Sequence, residues 1–331
     1  MFRGRKDGNE SAGMIPCTYL VPLRRWQRSD IGELAGYLNA VAAEAEVIVA
    51  DGSVPELFAA HRAALGASVR HIAVAPGARP NVNGKVRGVH AGVFAASQEC
   101  VVIADDDVRY GTKELRRVVE LLEHADLVLP QNYFRPAPWH ALWDTARTLL
   151  NRVTGGDWPG TLALRRSAFL RQGGYADDVL FENLELVRAI RSRGGRVVRD
   201  DSLYVRRLPP TVRHFVDQRV RQAYDEFARP WRLLAFLAIL PLLVLLLVYG
   251  GWGIAIVAAL GALACAEAGR RRCGGASVFP ASATLFAPLW ILERGICSWF
   301  ALGAWLSGGI NYAGAKLRRA ATPASSRVAI R

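Results

Sequence analysis

Residues 233–249, LLAFLAILPLLVLLLVY, run for seventeen positions without a charge. A segment of this composition has no polar face to turn to water, so the chain must either enclose it completely or place it in lipid. Its length is close to the roughly 20 residues that cross a bilayer, and Pro241 predicts a kink. Gly250-Gly251 reads as a tight turn, followed by a second, weaker apolar run, WGIAIVAALGALACA (252–266). These runs predict spans at about 232–249 and 251–267. A buried hairpin of a water-soluble protein would keep a polar face, and this one has none. Basic clusters follow at GRRRC (269–273) and KLRR (316–319), and the positive-inside rule assigns both to the cytoplasmic side. The segment 278–310 must then return to the side it left. It reads either as two short spans or as an interfacial or re-entrant segment broken at Glu293-Arg294.

The chain before Trp231 has a different character: charged, mixed and patterned like a water-soluble α/β protein. The 331 residues carry a formal charge of +13, with a pI near 10.1, and arginine supplies most of it. Such a balance suits anionic lipid, phosphorylated small molecules or nucleic acid. No Arg/Lys-rich tail or aromatic–basic interleaving supports nucleic acid, and that class is set aside. Five cysteines without a C-x-x-C pair predict a reduced, cytosol-facing protein. Residues 1–15 contain no apolar stretch of signal-peptide type and read as a disordered leader. Residues 311–331 read as a basic cytoplasmic tail.

Between these ends, strands and helices alternate. Strands are predicted at 17–26, 46–53, 69–76, 100–107 and 126–134. Helices are predicted at 29–45, opened by Ser-Asp, at 55–66, with Pro in its first turn, and at 84–97 and 112–125. This order predicts a mostly parallel sheet with helices on both faces. The later part is less regular: an aromatic-rich helix at 138–153, a strand and short helix at 160–175, a helix at 180–195, a strand and loop at 196–209, and a basic amphipathic helix at 211–231.

In open parallel sheets ligands bind at the carboxyl ends of the strands. Asp51 and the run Asp105-Asp106-Asp107 stand at two such ends. Three adjacent like charges after the apolar Val-Val-Ile-Ala are costly unless they are solvated or neutralised by a cation. An Asp-x-Asp pair at a strand end can chelate Mg²⁺ or Mn²⁺ together with phosphate oxygens. Alone, that motif equally describes a solvated loop. No spacing of the six histidines suggests a zinc site.

The motif is not alone. In order, VADGS (49–53), NGKVRGVHAG (83–92), IADDDV (103–108), GGY (173–175), ENLEL (182–186) and QRVRQ (218–222) form a series. The series resembles the family 2 glycosyltransferases, over about residues 16–231 plus C-terminal membrane helices. NGKVRGV followed by DDDVR looks especially like the ceramide-glucosyltransferase branch and its bacterial relatives. The resemblance implies a GT-A type nucleotide-binding domain at 16–231 and a membrane region at 232–310. It implies an inverting hexosyl transfer from a nucleotide-sugar, read as a UDP-sugar, to a lipid or lipid-linked acceptor such as a glycolipid precursor. The enzyme would be a multi-pass protein of the plasma (inner) membrane with its catalytic domain in the cytoplasm.

By position, the resemblance implies that Asp51 faces the base or ribose and that Lys85 lies near the donor phosphates. Asp105 would hold the ribose or sugar side and, with Asp107, the divalent cation, while Asp106 points away. Gln218 and Arg221 match the first and fourth positions of a Q-x-x-R-W pattern, with Gln222 in place of the Trp; Arg221 would pair with phosphate. The chain departs from the family at Asn183, where the usual Glu-Asp supplies the base that deprotonates the acceptor, because Asn cannot act as a base. Three readings follow: Glu182 or Glu185 takes over; the acceptor is already anionic, a polyprenyl phosphate for example, and needs no base; or the protein is a silent scaffold. The aromatic group Trp139, His140, Trp143 and Trp158 reads as an acceptor groove or as core.

Overall fold

The structure, a computed structural model, describes residues 13–75, 83–312 and 315–322. The predicted leader up to residue 12 and the tail beyond 322 lie outside the described residues. Ile15 is already buried and donates its N–H to the Glu44 carbonyl at 2.7 Å.

The first half follows the alternation in the sequence. In chain order come β1 (Cys17–Leu23), α1 (Gly32–Ala42), β2 (Glu46–Asp51), α2 (Pro55–Ala64), β3 (Val69–Ala73), α3 (Gly84–Ala95), β4 (Cys100–Ala104), β5 (Val108–Arg109), α4 (Thr112–Leu122) and β6 (Leu127–Phe134). There follow α5 (Trp139–Thr154), β7 (Thr161–Arg165), α6 (Arg166–Gln172), α7 (Glu182–Ser192), β8 (Val197–Arg207) and α8 (Val212–Tyr224). A 3-10 turn at Asp225–Ala228 leads to α9 (Pro230–Val248), α10 (Trp252–Arg271) and α11 (Ala287–Leu306), followed by a short hairpin, β9 (Ile310–Tyr312) and β10 (Ala315–Leu317).

Eight strands form one sheet in the order β3-β2-β1-β4-β7-β6-β8-β5. β1 to β4 run parallel, whereas β7 is antiparallel to both β4 and β6. The expected α/β sheet with helices on both faces is present, with β7 and β5 as its antiparallel members. Because side chains alternate along a strand, each central strand feeds two cores. Tyr19 and Val21 of β1 and Val102 of β4 pack under α1 and α4 with Leu38 and Val118. Leu20, Val101 and Ile103 pack on the other face with Val89, Val93, Phe169 and Val187 of α3, α6 and α7.

α9, α10 and α11, the last two with their flanking turns, are long and apolar enough to cross a membrane. α9 packs on α11, with Phe236 edge-on to the Trp290 ring and the Leu237 carbonyl accepting from the Trp299 indole at 3.2 Å, and is otherwise largely exposed, whereas α11 has two different faces. Ala287 and Trp290 pack against Ala146 and Leu149 of α5. Cys297 and Ala301 pack against Ala223 and Tyr224 of α8. The opposite face leaves Leu289, Ile296, Trp299, Phe300 and Leu306 exposed. α11 runs unbroken through Glu293-Arg294, so a break at that pair, one of the two readings of 278–310, does not occur. Those two charges turn inward, onto α5 and α8.

Candidate functional site

β4 ends at the middle of the sheet, and the three aspartates form the turn between it and β5. The turn closes with the Val108 N–H on the Asp105 carbonyl at 3.0 Å. β5 then pairs with the far end of β8, Val108 opposite Arg207. That long-range pairing carries Arg207 to the aspartates. Its Nε donates to Asp107 Oδ1 and Oδ2 at 3.0 and 2.9 Å, and its Nη2 reaches Asp105 Oδ2 at 3.3 Å. Asp106 turns away and pairs with Arg25.

Lys85 approaches from the start of α3. Asn83 caps that helix, its side chain accepting from the Lys85 N–H at 3.1 Å. The Lys85 ammonium lies 2.6 Å from Asp105 Oδ1 and 2.8 Å from Glu182 Oε1. Burial opposes its charge, but Asp105 and Glu182 hold its pKa above the ordinary lysine value. Burial works against ionisation of Asp105 too, and Lys85 and Arg207 still keep it below the usual carboxylate range. Asp107 goes the other way: burial and the neighbouring Asp105 push it up despite Arg207.

These groups wall one side of a cleft of roughly 1120 Å³, open mouth included, between the sheet end and the helices α5, α8 and α11. Among the predicted residues, Asp105, Asp107, Glu182, Asn183, Gln218 and Arg221 line it. Arg221 donates to Gln218 Oε1 at 2.6 Å. Asn183 donates to the Pro159 carbonyl at 2.9 Å and so ties down the loop before β7. Lys85 touches the cleft only through Asp105 and Glu182.

Asp51 and Glu185 are not brought to the cleft. Asp51 is fully buried between two histidines, with His61 Nδ1 at 2.7 Å and His71 Nε2 at 3.1 Å from Oδ2. The Ser53 N–H donates to its Oδ1 at 2.8 Å. Burial disfavours its charge, yet the hydrogen bonds from His71, Ser53 and His61 hold it well below the usual range. In this arrangement its carboxylate is committed to the histidine pair. Glu185 faces the C-terminal segment, accepting from the Thr322 N–H at 2.9 Å. Of the aromatic group only Trp158 lines the cleft. His140 is hydrogen-bonded to the Pro210 carbonyl at 2.8 Å, and the Trp143 indole donates to Glu293 at 2.9 Å.

Four residues here were not singled out as site candidates from the sequence. Arg207 is one. Gly160 is another: it accepts from the Asp105 N–H at 2.9 Å, and a Cβ on it would come within 2.8 Å of Asp105 Oδ2 and 2.7 Å of Arg207 Nη1. Asp225 is the third. It lines the cleft, its Oδ1 has no hydrogen-bond partner, and burial, with Glu182 and Glu226 nearby, pushes its carboxyl up to about 7 against the pull of Arg221 and Arg229. Arg294 of α11 is the fourth, and only its charge inside an apolar stretch marked it in the sequence. Seven arginines and seven carboxylates line the cleft in all. Among the described residues no group of three His, Cys, Asp or Glu side chains is placed to hold a metal ion by itself.

No protein-family model matches the chain, and no curated protein matches it in sequence. Solved structures do. A mannosyltransferase from Pyrobaculum calidifontis, in complex with GDP-Man and Mn²⁺, aligns over 92% of this chain and 80% of its own, at 18% identity and a TM-score of 0.48. Glucosyl-3-phosphoglycerate synthase from Mycobacterium tuberculosis, in complex with Mn²⁺, UDP and phosphoglyceric acid, aligns over 60% of this chain and 72% of its own, at 16% identity and a TM-score of 0.40. S. aureus TarS 1-349 in complex with UDP-GlcNAc aligns over 60% of each chain, at 14% identity and a TM-score of 0.38.

Proposed function

We propose that this chain is a membrane-anchored, divalent-cation-dependent inverting glycosyltransferase of the GT-A type. It moves a sugar from a nucleotide donor, UDP-linked in our reading, to a lipid or lipid-linked acceptor at the cytoplasmic face. Residues 16–231 form the catalytic unit in this reading, and α9 and α10 anchor it. The observation that carries the proposal is the Asp105/Asp107 pair at the carboxyl end of β4, facing a cleft that the C-terminal apolar helices complete.

The donor set fits Mg²⁺ or Mn²⁺. The two carboxylates supply hard oxygens at the cleft wall, now held by Lys85 and Arg207, which a bound ion would displace in part, and such ions take their remaining ligands from phosphate and water. The wall also holds as many carboxylates as arginines. A nucleoside diphosphate would bring uncompensated negative charge unless a cation came with it. Asp107 and Asp105 would hold that cation, which when bound neutralises the charge developing on the leaving diphosphate. Lys85 fixes Asp105 and Glu182, and Arg221 and Arg207 supply guanidinium groups at the phosphate end.

The family's base position holds Asn183, whose side chain serves the Pro159 loop. Glu182 is paired with Lys85 and Glu185 faces away from the cleft. Asp225 is the carboxylate best suited to accept the acceptor proton, because it lines the cleft and its buried Oδ1 has no hydrogen-bond partner.

The test is donor turnover. Purified protein in detergent, supplied with Mn²⁺ or Mg²⁺ and a panel of nucleotide sugars, should release free nucleoside diphosphate from one of them. The release should fall by about 10²-fold or more in Asp107→Asn. If no donor turns over even with lipid extract, while nucleotide still binds, the chain is a silent nucleotide-binding scaffold instead.

A further inference from the structure

Arg294 is the most isolated charge in the cleft. It is 1% exposed, and its Nε and Nη1 have no hydrogen-bond partner. Its Nη2 donates to Gln222 Oε1 at 3.3 Å, and its guanidinium lies 5.2 Å from the centre of the Trp290 ring. Among the described residues it forms no ion pair. A buried guanidinium without a carboxylate costs several kcal/mol, and an anion supplied by a ligand offsets that cost. Arg147, on α5, lines the same cleft with its own Nε unpartnered; the nearest carboxylate oxygen paired with it, on Asp157, is 3.9 Å away.

The helix that carries Arg294 says which anion. α11 packs on α5 and α8 on one side and on α9 on another, where the Trp299 indole donates to the Leu237 carbonyl, and what is left exposes Leu289, Ile296, Phe300 and Leu306. These exposed positions recur at helical spacing, as on a helix lying in the plane of a bilayer surface. The same helix therefore offers an apolar face to lipid and a lone guanidinium to the cleft. A molecule that meets both is an amphiphile with an anionic head. A planar fork with two free N–H directions suits phosphate oxygens. The donor's own diphosphate is served elsewhere in this reading, by Arg207 and Arg221 and by the cation that Asp105 and Asp107 would hold.

We propose that Arg294, assisted by Arg147, forms the subsite for the phosphoryl group of a lipid-linked acceptor, which enters along α11 and whose attacking group is a separate hydroxyl, so that a base at Asp225 is still required. This rests on the transferase reading for the word acceptor, but the subsite can be tested without turnover. Full-length protein in detergent would be titrated with farnesyl phosphate, farnesol, inorganic phosphate, and UDP with Mn²⁺. Farnesyl phosphate should bind at least tenfold more tightly than farnesol or inorganic phosphate. Arg294→Gln should abolish that preference and leave UDP affinity within about twofold. Its melting temperature without ligand should be no lower than that of the parent, since a lone buried charge has been removed. Should the Gln variant not fold, Arg294→Lys, which keeps the charge but not the fork, should still weaken farnesyl phosphate binding several-fold. An unchanged preference in the variant that folds overturns the proposal. So does inorganic phosphate binding as tightly as the lipid phosphate, or a parallel loss of UDP affinity, which would make Arg294 a donor-phosphate residue. A phosphate preference without donor turnover would overturn the transferase reading and leave the subsite standing; the reverse result would do the opposite.

Discussion

Replacing Asp225 by Asn should remove activity and raise stability, and both effects can be worked from its surroundings. The carboxyl follows α8, with Arg221 on that helix, Glu182 at the start of α7, and Glu226 and Arg229 in the turn beside it. Burial moves it from 3.8 to about 7, which at about 1.4 kcal/mol per pH unit is on the order of 4 kcal/mol. The sign is that of a raised carboxyl: the folded state binds the proton more tightly than the unfolded state. The stability this contributes is complete below the unfolded value of 3.8 and is lost as pH rises to about 7. At pH 8 the parent carries the full cost of an ionised, desolvated Asp225, and Asp225→Asn does not. The variant should therefore be more stable than the parent at pH 8, by up to about 4 kcal/mol. The difference should shrink towards zero near pH 4. Thermal or denaturant unfolding in detergent across that range measures it. In the same range kcat/KM of the parent should rise with pH through an apparent pKa near 7, as a base must be deprotonated. Asp225→Asn should lose about 10² to 10⁴-fold and lose that acid limb. A variant that keeps parental activity, or a parent with no ionisation near 7, would refute the assignment of the base. A variant no more stable than the parent at pH 8 would refute the electrostatic reasoning beneath it.

Gly160→Ala should act at the same site by sterics alone. Its Cβ would meet Asp105 Oδ2 and Arg207 within 2.8 Å, so one of them must move. We expect about 1–3 kcal/mol of destabilisation and a loss of Mn²⁺-dependent turnover larger than that stability loss explains, measured by melting and nucleoside diphosphate release on one preparation. Asp51→Asn should behave differently, because its carboxylate is spent on His61 and His71. Stability should fall by about 3 kcal/mol with the UDP dissociation constant little changed, whereas a nucleotide-binding role would show as a large rise in that constant. The depressed pKa of Asp51 adds an acid-side signature. Its contribution is complete above the unfolded carboxylate range and is lost as pH falls towards the folded value, so the parent should lose its advantage over the variant in acid.

The regular half of the fold was legible because local rules agree there. β1 to β4 and α1 to α4 fall within a few residues of the predicted segments, since a strand buried on both faces reads as an apolar run and an amphipathic helix keeps its 3.6 period. The helix predicted at 29–45 shortens to Gly32–Ala42, and Asp30 accepts from the Gly32 N–H rather than capping an earlier turn. β5 is two residues long and exists only because β8 lies beside it, so no local pattern could announce it. The antiparallel run of β7 is likewise a property of its neighbours.

The chemistry divides along the same line. Composition and order alone determined a charged α/β unit followed by apolar helices, and put an Asp-x-Asp at a strand end where a sheet can hold a ligand. Spacing along the chain reports periodicity and turns, which are set by residues within a few positions of each other. Only the tertiary structure decided what those aspartates face. Arg207, a hundred residues further on, reaches Asp107 through the β5–β8 pairing. Asp51 turns into a histidine pair. Arg294 comes to the cleft because α11 lies along the domain instead of leaving it. Whether a carboxylate meets a lysine, a histidine or open space depends on which distant strand or helix packs beside it, and that is fixed by burial of the whole chain rather than by any neighbouring residue.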